Sequence, residues 1–147
     1  MSDFPARNPD FRQATAEYAA AQTFLGFIGV RVGAVAPGRA EYLLPYRPEV
    51  GQHHAVFHGG VVGALGEAVM GAAAFTLVEA GADVVGVEYK CNFMAPGAGV
   101  LLIARGIVLR AGGRLAVCRA DILTRTEDGK ESLTAIAQGT MAVVRPR

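Results

Sequence analysis

A chain of 147 residues, 52% apolar and 18% charged, is long enough for one well-buried domain and too apolar to be disordered. A formal net charge of +1 and the lack of a long Lys/Arg run exclude a general pull toward nucleic acid, so any anionic ligand must be held by a few placed residues. The opening residues MSDFPARNPD lack the apolar core of a signal peptide, and the longest apolar stretch is broken by an acid and several glycines. Cys91 and Cys118 form no CxxC pair. A cytoplasmic protein with reduced thiols and no membrane partner is expected.

In chain order, DFRQATAEYAAAQTFLG predicts one helix over about 10–26, with Asp10 as its cap and Gly26 as its stop. GVRVGAVAPGRAEYLLPY alternates around Pro37-Gly38 and predicts a hairpin. RPEVGQHHAVF reads as a loop. A helix over about 59–79 follows, rich in alanine and apolar all round, so it should be buried all round. Its glycines Gly63, Gly66 and Gly71 suggest a closely packed backbone. From Asp83 onward the period becomes two, and four strands are expected with short Gly- and Pro-rich connections. Such connections predict antiparallel neighbours. The result is a single α+β domain spanning 1–147, a long antiparallel β-sheet against a central apolar α-helix. One sheet face covers such a helix incompletely, so a homo-oligomer, at least a dimer, is expected.

Glu67 is the one charged residue between Glu49 and Glu79. An ionised carboxylate in apolar surroundings is costly unless it is paired. A structural role, capping a backbone group or reaching water, competes with a catalytic carboxylate of tuned pKa. His58-Gly59-Gly60 opens the same helix. Helix N-termini offer unpaired N–H groups and partial positive charge, suited to a carbonyl oxygen that becomes negative during acyl transfer. Glu67 lies about two turns further, roughly 12 Å along the axis. That is too far for both to act on one carbonyl within a subunit, which points to a site shared across a dimer.

HGGVVGALGEAVMGAAA, with GVEYKCNFMAP and GGRLAVCRADI, resembles the hotdog-fold acyl-CoA thioesterases of the PaaI-like group, the phenylacetate-pathway or aryl-CoA enzymes. The resemblance runs from about Thr23 to Val144. It implies a hotdog fold, with the sheet wrapped around the central helix, in a homodimer or homotetramer. It further implies that the Gly59 N–H polarises the thioester carbonyl, with His58 and Gly60 shaping the turn. Glu67 of the other subunit would act as nucleophile or general base, and Gln52, seven residues before Gly59, would bind the carbonyl or the water. Arg114 resembles a position near coenzyme A, with Arg110 and Lys90 as weaker candidates. Gly71 stands where some aryl-CoA members carry Ser or Thr, and Met94-Ala95 where many carry a basic residue. Val61, Met70 and Phe93 are candidate lining for the acyl group.

The activity implied is hydrolysis of an acyl-CoA thioester, aryl or medium-chain, to free CoA and a carboxylic acid. Coenzyme A is then part of the substrate, and no separate cofactor is expected. An enoyl-thioester hydratase pairing His58 with Glu67, or a noncatalytic acyl-CoA-binding module, are the alternatives. His53, His54 and His58 lack HExxH or a Cys pair, so no metal is expected. Ser2 and Ser132 lie outside any GxSxG, and the cysteines fall in strands, which disfavours a serine or cysteine nucleophile.

Overall fold

The computed structural model describes residues 4–146. Two short helices, α1 (Phe11–Ala20) and α2 (Thr23–Ile28), stand where one was expected. The break falls at Gln22, which is extended at ψ 96°. Asp10 precedes α1 but its side chain makes no capping bond. Gly26 lies inside α2. The stop is Gly29, left-handed at φ +89°, a conformation that costs glycine little.

The hairpin β1 (Arg31–Ala36) and β2 (Arg39–Pro45) turns at Pro37-Gly38, with Gly38 at φ +73°. The central helix α3 (Gly59–Phe75) ends before the expected residue 79. Thr76 terminates it. Its hydroxyl donates to the Ala73 carbonyl and accepts from the Gly38 N–H, both at 2.7 Å, so the helix end is tied to the hairpin turn. The four expected strands follow as β3 (Asp83–Phe93), β4 (Leu101–Ala111), β5 (Leu115–Arg125) and β6 (Glu131–Val144).

All neighbours in the sheet are antiparallel, in the order β1-β2-β4-β5-β6-β3. One short connection misleads: β3 and β4 are not neighbours. β4 fills the place beside β2, and β3 pairs with β6 at the far edge. β3 therefore has one open edge. It is long, and Val85, Val87, Tyr89 and Phe93 along it are exposed.

Helix α3 packs across β2 to β6. Leu65, Val69 and Met70 are fully buried in a core with Tyr42, Leu102 and Ile122. The helix glycines play a different part from the one expected. Side chains, not backbone, meet them: the Tyr89 hydroxyl at Gly63, Ile122 at Gly66 and the Tyr18 hydroxyl at Gly71. The close backbone approach comes from the strand side. A Cβ on Gly106 of β4 would stand 2.5 Å from the Val69 carbonyl oxygen.

Candidate active site

The segment before α3 folds back on itself. Gly51 and Phe57 form a β-bridge, and Ala55 takes φ +54° to close the turn. His58 then caps the helix. Its Nδ1 accepts from the Gly60 N–H at 2.9 Å, and its carbonyl accepts from Val61 and Val62. Three of the first N–H groups are thereby used. Among the described residues, no group accepts from the Gly59 N–H. That free donor carries the positive end of the helix dipole. Gly59 lines a cavity of about 660 Å³ together with Gln52, His54, Val62, Phe93 and Thr134. The Phe93 ring lies 3.4 Å from where a Cβ on Gly59 would stand.

Glu67 opens elsewhere. It lines a second cavity of about 620 Å³ with Gln22, Phe24, Leu25, Val87 and Tyr89. No group among the described residues hydrogen-bonds or ion-pairs with its carboxylate, and no basic residue lines the cavity. Burial therefore acts unopposed and pushes its pKa above the ordinary carboxylate value. β3 passes very close: a Cβ on Gly86 would strike a Glu67 carboxylate oxygen. The β3–β6 register shifts between Gly86 and Glu88, a bulge at that same point.

One chain thus brings together Gln52, Gly59 and Phe93, and holds Glu67 apart from them. His58 and Gly60 are exposed and build the cap. Val61 is half-buried and lines neither cavity, and Met70 is wholly buried in the core. Lys90 lies with Asn92 and Gln138 on the sheet face away from the helix. Arg110 is exposed at the end of β4, beside a bulge. Arg114 is in the β4–β5 turn, bonded through its carbonyl to Val143, at the end of the sheet opposite Gly59. Both cysteines are free, and burial raises each thiol pKa, that of Cys118 to about 12. Neither is set up as a nucleophile. Gly86, Tyr89 and the α2 wall were absent from the sequence-based candidates. Gly86 had a signal, since an isolated glycine within a strand pattern marks a bulge or a close approach.

Residues 54–131 match the thioesterase superfamily, just over half of the chain. The chain belongs to the thioesterase superfamily. A crystal structure of a thioesterase family protein from Silicibacter pomeroyi is 31% identical, with a TM-score of 0.89 over 92% of this chain and 99% of that one. A Saccharolobus solfataricus protein named as a presumed esterase is 33% identical over 121 residues, 82% of this chain and 83% of its own. A Haemophilus influenzae thioesterase structure, 24% identical, shares the fold at a TM-score of 0.77 over 98% and 93% of the two chains. The sheet around a central helix is the hotdog fold of this superfamily. No helix among the described residues is long and apolar enough to cross a membrane.

Proposed function

We propose that this thioesterase hydrolyses an acyl-CoA thioester, aryl or medium-chain, to free CoA and a carboxylic acid, in a site built by two copies of the chain. One observation carries the reading. The free Gly59 N–H and the unpaired Glu67 carboxylate open into different cavities of one chain. A second copy offers a way to join them. β3 has an open, apolar edge that would otherwise invite uncontrolled pairing. Pairing two β3 edges about a two-fold axis near Tyr89 and Lys90 sets Gly86 of one copy opposite Phe93 of the other. Gly86 lies against Glu67, and Phe93 against Gly59. The acid of one copy then meets the helix start of the other.

In that site the Gly59 N–H polarises the thioester carbonyl and stabilises the oxyanion, with the Gln52 amide orienting the carbonyl or the water. Such a donor is worth about 2.7–4 kcal/mol of barrier. Glu67 delivers the attack, the C–S bond breaks, and the CoA thiolate leaves and gains a proton. The same pairing carries the second copy's β4–β5 turn toward the Phe93 end, so Arg114 is the favoured contact for a CoA phosphate. Lys90, on the other sheet face, is disfavoured. The hydratase alternative is weakened because His58 lines neither cavity and its Nδ1 is engaged with Gly60.

Thiol release from a panel of aryl- and aliphatic acyl-CoAs, with Glu67→Ala beside the wild type, tests the reading. Turnover abolished in the variant is expected. Full activity in Glu67→Ala would sink it, and enoyl consumption without thiol release would favour the hydratase.

A further inference from the structure

Gly63, Glu67 and Gly71 are spaced by four residues and form one row along α3. β3 runs beside this row, with Gly86 against the Glu67 carboxylate. One turn before the acid, the Tyr89 hydroxyl lies 3.2 Å from where a Cβ on Gly63 would stand. One turn after it, the Tyr18 hydroxyl lies 3.2 Å from the same point on Gly71. Two phenols, from β3 and from α1, thus flank the acid, each seated over a glycine. An alanine at either glycine would crowd the hydroxyl above it.

The two rings sit differently, Tyr89 partly exposed and Tyr18 packed in. A Cβ on Gly139, the β6 partner of Tyr89, would stand 2.8 Å from the Tyr89 Cβ, so glycines make the slot on two sides. Tyr18 stacks on Phe75 with ring centroids 4.4 Å apart, and its hydroxyl donates a long 3.3 Å bond to the Val84 carbonyl. The two hydroxyls differ in access. Tyr89 lines the cavity that Glu67 lines, and Tyr18 does not. The Tyr89 hydroxyl and the Glu67 carboxylate thus enter one cavity at adjacent turns of α3, whose Cβ positions are about 5–6 Å apart, so a water in that cavity can be shared between them.

We propose that Tyr89 is a positioning residue for Glu67: its hydroxyl and the carboxylate hold the attacking water between them on the cavity side, while Tyr18, whose one hydroxyl proton goes to the Val84 carbonyl, closes the other side of the acid. This rests on Glu67 being the catalytic acid. The water gives its proton to Glu67 as its oxygen attacks the carbonyl carbon. The thiolate then leaves with that proton, so acid, thiol and carboxylate are all accounted for.

The titratable groups around Glu67 are Tyr18 from α1, Tyr42 from β2, and Glu88 and Tyr89 from β3, none of them a cation. The cavity thus offers the ionised acid a nearby hydroxyl and no cation. Burial raises the Tyr18 phenol to about 12, so it keeps its proton at working pH. The Tyr42 hydroxyl, wholly buried, has no hydrogen-bond partner among the described residues.

Tyr89→Phe removes one oxygen and keeps the ring. We expect kcat to fall roughly 10- to 100-fold in Tyr89→Phe, the range for a lost bond to a charged partner, with KM little changed. In the same variant the acid limb of the kcat–pH profile should move to higher pH, because the carboxylate anion loses the water held against it. Carboxyl NMR titration of Glu67 without substrate should show the same upward shift. Glu67→Gln, assayed alongside, separates the two ideas. A fully active Glu67→Gln overturns the functional reading. An inactive Glu67→Gln, with Tyr89→Phe keeping wild-type kcat, pH profile and Glu67 titration, overturns the positioning role alone. A lower Tm without any change in the profile or the titration would also overturn it.

Discussion

The proposed shared site makes a quantitative prediction for mixed oligomers. Gly59 and Glu67 are about eight rises of 1.5 Å apart on one helix, roughly 12 Å, while reacting atoms must approach to about 3–3.5 Å. Take two inactive variants, Glu67→Gln and Gln52→Ala, and co-express them under different tags. In a mixed dimer one site has both defects and the other has neither. Random pairing makes half the dimers mixed, and each has one intact site of two, so about a quarter of wild-type thiol release should return. Tandem purification of the doubly tagged form should raise this to about half. If the acid and the amide of one chain served the same site, every site in the mixed dimer would carry one defect. Doubly tagged dimers no more active than the better parent would therefore refute the shared arrangement.

Three further outcomes follow from the packing and charge. Val85→Lys places a charge on the open edge of β3, where Val85 is 48% exposed, and should yield an inactive monomer by size exclusion; an unchanged elution volume would contradict the proposed interface. Gly106→Ala forces a Cβ onto the Val69 carbonyl and should cost about 1–3 kcal/mol in denaturant unfolding; wild-type stability would mean that α3 shifts freely on β4. The raised pKa of Glu67 means that the fold binds its proton more tightly than the unfolded chain does. Its stabilising contribution is full below the ordinary carboxylate pKa of about 4.3 and is lost as pH rises through the folded value. Glu67→Gln should therefore raise Tm at neutral pH, by a margin that closes toward pH 4; a variant no more stable than wild type at pH 7 would show that the ionised acid is not penalised.

Periodicity alone determined a good deal of this protein. The alternation after Asp83 places all four long strands, the Pro37-Gly38 turn places the hairpin, and the long alanine-rich run from Gly59, with Glu67 its one charge, marks the central helix. Each is a local pattern that the backbone obeys wherever it lies. The isolation of Glu67 was equally legible, because no charged neighbour stands near it in sequence. Other features needed the folded chain. The break at Gln22 is a backbone choice that helix propensity does not encode. The end of α3 depends on a hydroxyl of Thr76 reaching Gly38, a residue from another element. The β3 strand lies beside β6, not β4, because β2 already occupies that edge. Gly63 and Gly71 read as signs of close backbone packing, yet they seat the hydroxyls of Tyr89 and Tyr18, residues brought from different elements. A sequence states which groups can do chemistry. Only the tertiary structure decides which of them stand within reach of one another, since that depends on the path of the chain between them.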